Sequence, residues 1–351
     1  MARPDRSPEI DGALLRAVGE HPHDLVAMVA GQLGLSRQRI GIRVRELVAG
    51  GYLVKQGTTR PTYALGPNRR FLRSWPREGL AEDRVWFEEL LPLLRHLPRN
   101  VLDIAQHGVT EMVNNAIDHS EASRIFVSMD CDQDNLALQV DDNGVGIFRK
   151  IARALELPDE RLALLELSKG KLTTDPQRHS GEGVFFTSRM FDVYRIESGG
   201  LVFDHDAGYD DDLLADADEV RGTRVYMQIA VDSQRTARAV IDEYSSGPDD
   251  YAFARTVVPV RLAKVGDENL VSRSQARRVM QRVDRFRCVV LDFEDVSSIG
   301  QAFADEIFRV FANAHPEVEL LSIHAVPEVQ QMIRRAEVLR DEQGGQLPLL
   351  K

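Results

Sequence analysis

The stretch VLDIAQHGVTEMVNNAIDH, residues 101–119, does most to limit what this chain can become. Val101, Ile104, Val109, Met112, Val113 and Ala116 recur at helical spacing, so one face of a long helix is committed to a core. Glu111 and Asn115 lie four residues apart and project from the same side of that helix. A carboxylate beside an amide suits a magnesium–phosphate site. The amide oxygen can ligate a hard cation, and the carboxylate can take a proton from water or another nucleophile.

Two runs of alternating apolar residues follow, RIFVSMD and LALQVDD, and read as paired strands. The second ends in Asp142-Asn143-Gly144-Val145-Gly146. An aspartate at a strand end can accept a hydrogen bond from the amino group of adenine, and nearby glycines let the backbone approach a purine. A polar stretch at 150–180 includes Lys169-Gly170-Lys171 and leads into His179-Ser180-Gly181-Glu182-Gly183. Glycines ahead of an apolar helix start, VFFTSRMF, can turn backbone N–H groups toward phosphates. Gly222 to Met227 reads as a closing strand.

Each piece alone is common, but in this order they resemble the GHKL (Bergerat-fold) superfamily. That group holds gyrase-type topoisomerases, heat-shock chaperones, mismatch-repair ATPases, histidine kinases and anti-sigma-factor kinases. The resemblance covers residues 79–232, and the ExxxNAxxH form from Glu111 to His119 is closest to the kinase and anti-sigma branches. It implies an α+β sandwich, a mixed sheet with helices on one face, that binds ATP with Mg²⁺. By the same resemblance Glu111 is the catalytic base or water-positioning group, Asn115 holds Mg²⁺ and Asp142 reads adenine. Gly144 and Gly146 shape the base pocket, Gly181 and Gly183 approach the phosphates, and Thr223 completes the adenine side. Residues 150–180 form a mobile lid from which Lys169 and Lys171 reach phosphates. Two departures matter. GEGVFF is less glycine-rich than the family's fuller motif, and no helix hairpin with a phosphoacceptor histidine precedes the pocket. His96 and His107 are expected to be structural or surface residues, which disfavours a sensor histidine kinase.

Residues 1–66 read as three helices and a hairpin. Gly34 is placed to end the second helix, because it tolerates positive φ, and Ser36 to cap the third. Ile40, Val44, Leu47 and Val48 bury one face of that third helix, leaving Arg37, Gln38, Arg39, Arg43 and Arg45 on the others. This order resembles a winged helix-turn-helix, which implies DNA binding through those residues, with Lys55 and Arg60 of the hairpin on the backbone. The same elements also serve as protein-interaction modules whose arginines are solvated. Charge favours the first reading. Residues 1–75 hold 12 Lys and Arg against 6 Asp and Glu, whereas the whole chain carries a net −11.

Residues 67–78, GPNRRFLRSWPR, lack periodicity and read as a linker; residues 233–250 read as a helical connector ending in a turn cluster. Residues 251–345 alternate strand and helix, as an α/β domain does, and 346–351 read as a tail. LDFEDVSSIGQAF resembles STAS domains, nearest to the STAS-like domains of unknown function attached to GHKL ATPases. The phosphorylated serine of that family would fall near Gly300–Ala302, where no hydroxyl stands; Ser297 and Ser298 lie just upstream. Ser272–Arg278 opens a helix that contacts an anion or the ATPase domain, or is simply solvated.

The expected fold class is therefore multidomain α/β. Two cysteines without metal-ligand spacing argue against structural zinc or a disulfide framework and for the reducing cytosol. No run reaches membrane-span length. The expected protein is an ATP-responsive, DNA-binding regulator in transcription, with a protein partner on the STAS-like domain and a homodimeric state. Its rivals are an anti-sigma-factor-like Ser/Thr protein kinase and a slow ATPase acting as a conformational machine.

Overall fold

The computed structural model describes residues 6–172, 181–206, 211–247, 250–264 and 268–344. Part of the expected lid (173–180), part of the expected connector (248–249) and the tail (346–351) lie outside the described residues.

Helices Ser7–Ala17, Leu25–Leu33 and Arg37–Ala49 are followed by the antiparallel pair β1 (Leu53–Gln56) and β2 (Thr62–Leu65). The local signals act as expected. Gly34 ends the second helix at φ 64°, where a side chain would be strained, and the Ser36 hydroxyl accepts from the Arg39 amide at 3.3 Å. Ile10, Leu14, Leu25, Val29, Ile40, Val44 and Leu47 close a small core that belongs to this head alone.

The expected linker is a strand. β3 (Arg69–Pro76) forms the edge of a five-stranded sheet with β4 (Arg124–Cys131), β5 (Asn135–Asp142), β6 (Val193–Asp206) and β7 (Asp211–Ala230). Phe71 and Trp75 of β3 are buried in the main core. The arginines that hid the pattern each have a partner: Arg70 bonds Asp130 and lies 4.0 Å over the Tyr52 ring, while Arg73 pairs with Glu89.

The sheet order is β3-β4-β5-β7-β6, and every neighbouring pair is antiparallel, so the expected mixed sheet is corrected. A helical crossover joins β5 to β6, which would ordinarily leave them as parallel neighbours; instead β7 inserts between them and pairs antiparallel with both. Helices cover one face, as expected. Leu136, Leu138 and Val140 of β5 alternate inward against Val109, Met112 and Val113 of the Arg99–His119 helix. The head stands beside the sheet, its Tyr52 hydroxyl donating to Asp130 of β4 and accepting from Arg70 of β3.

The C-terminal domain is a parallel sheet in the order β10-β11-β12, comprising Arg255–Pro259, Cys288–Asp292 and Glu319–Ile323. β8 (Ser245–Gly247) and β9 (Asp250–Phe253) form a small pair before it. Helices Arg273–Met280 and Gln301–Asp305 follow β10 and β11, the latter running on through a π-helical turn, and Pro327–Gly344 follows β12. Ser272 and Gln275 form a capping box, and Arg277 pairs with Glu306, so the Ser272–Arg278 side chains support their own helix. The apolar core of this domain is continuous with that of the sheet domain. Among the described residues no helix is long and apolar enough to cross a membrane.

Candidate nucleotide site

Three local structures build one cavity of about 280 Å³ between the Arg99–His119 helix, the ends of β5 and β7, and the Gly183–Met190 helix. Seven of the expected residues line it: Glu111, Asn115, Asp142, Gly146, Gly181, Gly183 and Thr223. They come from separate parts of the chain, and the helix spacing that placed Glu111 and Asn115 on one side is what turns both inward.

At one end Asp142 and Thr223 are direct neighbours across the β5–β7 pair. The Gly144 amide donates to Asp142 Oδ1 at 2.8 Å, and Thr223 Oγ1 accepts from the Ile147 amide at 3.0 Å. Burial pushes the Asp142 carboxyl above its ordinary value, while hydrogen bonds from Gly144 and Thr223 pull it back. Gly146 has φ 86°, and a Cβ there would stand 2.6 Å from Ser198 Oγ. Gly144 does not line the cavity. A Cβ on it would meet the Ser120 carbonyl at 1.9 Å, so its role is to let the turn close onto the end of the long helix.

At the other end Gly183 begins its helix against Glu111. A Cβ on Gly183 would lie 2.0 Å from Glu111 Oε2. Gly181 takes φ 75° and its carbonyl accepts from the Leu172 amide at 3.0 Å. Both positions therefore need glycine for close approach: a Cβ at 181 would strike the Leu172 backbone and one at 183 would strike the Glu111 carboxylate.

The expected lysines are elsewhere. Lys171 does not line the cavity: its Nζ donates to the Arg285 carbonyl at 3.1 Å and lies 4.6 Å over the Phe286 ring. Lys169 is fully buried and bonds Glu166 Oε1 at 2.6 Å and the carbonyls of Arg278 and Gln281 at 2.8 and 3.0 Å. Burial lowers its ammonium to about 8. The physical reason for both corrections is that a competing set of carbonyls and aromatic faces sits in the C-terminal domain. The Leu162–Lys169 helix, expected within a mobile lid, is buried along its whole length.

Sequence reasoning missed Lys150, Tyr194 and Gly222. Lys150 lines the cavity and donates to the His119 carbonyl at 2.5 Å. Its spacing, one helical turn past Gly146, was a usable signal. Tyr194, fully buried, faces the cavity with its hydroxyl 3.3 Å from Met112 Sδ; no local pattern marks it. Gly222 takes φ 81°, and a Cβ would sit 2.0 Å from the Asp142 carbonyl, so it admits the turn that brings Thr223 beside Asp142.

In the head, Arg37, Gln38, Arg45, Lys55 and Arg60 are exposed and Arg39 is half-buried. Arg43 is not available to a ligand in this arrangement: its Nε donates to Asp11 at 2.9 Å, and it also pairs with Glu46. Asp11 is buried, so it requires a cation, and Arg43 is the nearest. His107, expected to be a structural or surface residue, is half-buried in the main domain, and that burial lowers its basicity.

An antiparallel sheet is covered on one face by helices, and an acid–amide pair and an aspartate–glycine turn line the same cavity. Residues 58–203 match the family of histidine kinase-like ATPase domains, and residues 275–330 match a STAS-like domain of unknown function. The first match stops short of β7, which the sheet needs for Thr223. No curated protein matches the chain.

Proposed function

We propose that the chain is a Mg-ATP-binding regulatory protein in which occupancy of the nucleotide site controls a DNA-binding head. One observation carries the nucleotide part: Asp142, Gly146 and Thr223 at one end, and Glu111, Asn115 and Gly183 at the other, face a single cavity. The residues fit the group, because a carboxylate acceptor at Asp142, an amide oxygen at Asn115 and backbone at Gly146, Gly181 and Gly183 line the same cavity.

Asp142 would accept the exocyclic N–H of adenine, with Thr223 and Gly146 completing that side. Asn115 would offer its amide oxygen to magnesium, and the backbone at Gly181 and Gly183 would face the phosphates. Glu111, abutting the Gly183 helix start, is placed to orient or deprotonate a nucleophile. When bound, Mg-ATP would supply a transferable phosphoryl group with its charge partly neutralised.

The exposed Arg37, Gln38 and Arg45 of the third helix, with Lys55 and Arg60 of the hairpin, support the reading of the head as the DNA-contacting part, working as a pair of heads in a homodimer. The STAS-like domain is then the place for a protein partner. Calorimetry of the folded chain against millimolar ATP with magnesium tests the core of the reading; absence of binding overturns it. A footprint that changes on ATP addition, and fails to change in Asn115→Ala, supports control of the head; identical footprints refute that part. Glu111 at the cavity keeps one second reading, slow ATP hydrolysis, which predicts sustained phosphate release lost in Glu111→Ala.

A further inference from the structure

The wall of the nucleotide cavity on the Glu111 side is held by the C-terminal domain. Leu167, Leu172 and Gly181 line the cavity, and the Leu172 amide bonds the Gly181 carbonyl. Beside these residues, several polar anchors run to the other domain. Lys169 places its Nζ on Glu166 and on the carbonyls of Arg278 and Gln281, using all three of its donors. Glu166 takes its second partner, Arg282, at 2.9 Å. Arg282 also bonds the Lys171 carbonyl, one residue before Leu172. Thr256 of β10 donates to the Lys169 carbonyl at 2.7 Å. Gly170 turns with φ 73° where a Cβ would strike Phe253 at 2.6 Å.

We infer that Glu166, Lys169 and Arg282 are positioning residues for the phosphate end of the nucleotide site, so that docking of the STAS-like domain and binding of the nucleotide's phosphates favour one another. This rests on the nucleotide reading above. None of the three side chains faces the cavity, yet each fixes the backbone of a segment that does. The adenine end is built without them, from β5, β7 and the turn at 142–146. Loss of the anchor therefore discriminates between the two ends of the ligand. Coupling between two sites is reciprocal, so bound nucleotide also steadies the interface.

The test compares ATP with adenosine by calorimetry on the full chain. Arg282→Ala and, separately, Lys169→Met are expected to weaken ATP binding about tenfold while leaving adenosine unchanged, within the usual range of site coupling. Equal losses for both ligands, or no loss for ATP in a folded variant, overturn the inference. Hydrogen exchange on the unmodified chain gives an independent reading should a variant not fold. Amides at 278–286 are expected to slow with ATP and not with adenosine; equal effects of the two ligands refute the coupling. If the unmodified chain binds neither ligand, the nucleotide reading itself has failed.

Discussion

The two joints of this chain are made differently. Between the head and the sheet the contacts are polar: the Tyr52 hydroxyl with Asp130, Arg70 with the Tyr52 hydroxyl and with Asp11, and Arg16 with the Leu72 carbonyl. Each side keeps its own apolar core, and a hollow lined by Asp11, Arg70, Asp130 and Tyr226 lies in the seam. Between the sheet and the C-terminal domain the core runs through without interruption. Phe185 and Phe186 of the Gly183–Met190 helix pack on Phe253, with ring centroids 4.5 and 4.9 Å apart, and Phe253 packs in turn on Phe286. A seam of charges can part with little loss of apolar burial, because water replaces the lost partners. A shared core cannot, since opening it exposes aromatic surface. The first joint is suited to movement of the head, and the second to transmitting a change at the nucleotide site rigidly.

Charge removal tests that contrast most severely at the buried joint. Glu166→Ala leaves Lys169 and Arg282 without their shared counter-ion in a buried place. It should cost about 3–5 kcal/mol, read from the denaturant midpoint of the sheet and C-terminal domains. A cost below 1 kcal/mol would mean this joint is as wet as the other.

The next effect follows pH. Burial raises the Asp142 carboxyl, so its protonated form persists above the ordinary carboxylate range. Protonation removes the negative charge and weakens the acceptor for adenine, whose bond to the ionised form is worth about 1.5–3 kcal/mol. Adenosine, which has no phosphate to titrate, should bind weaker as pH falls through that raised value, and Asp142→Asn should bind weakly at every pH. The sign for stability is opposite. A carboxyl raised on folding contributes stability below the unfolded value, and loses it as pH rises through the folded one. A pH-independent adenosine affinity in the unsubstituted chain would show that Asp142 does not read the base.

The smallest effect belongs to the polar joint. Tyr52→Phe and Asp130→Ala, combined in a double-mutant cycle, should show a coupling of about 0.5–1.5 kcal/mol that shrinks with added salt. A coupling above 2 kcal/mol, insensitive to salt, would erase the distinction between the joints.

The site was legible where chemistry and local geometry require one residue type. Glu111 and Asn115 follow from helix spacing, and the glycines at 146, 181 and 183 stand where a Cβ would collide with Ser198, Leu172 and Glu111. The rest depended on distant partners. β3 looks like a basic linker until Asp130 and Glu89 take up its arginines. Arg43 looks like a reader of DNA until Asp11, 32 residues earlier, is seen buried beside it. Lys169 and Lys171 look like phosphate ligands until the carbonyls of residues 278–285 are brought to them. The all-antiparallel sheet was hidden for the same reason: no local pattern announces that β7 will slip between β5 and β6.

With Arg43 turned inward to Asp11, the outward stripe of the third helix runs from Arg37 and Gln38 to Arg45. Eight residues at 1.5 Å rise make about 12 Å. Laid along duplex DNA, that is the length of about three or four base pairs. So short a word recurs by chance throughout any genome. If the head binds DNA as proposed, a single copy would hold the duplex without fixing an address on it. Locating a promoter would take two heads, and the spacing between them would carry as much information as the bases each one reads.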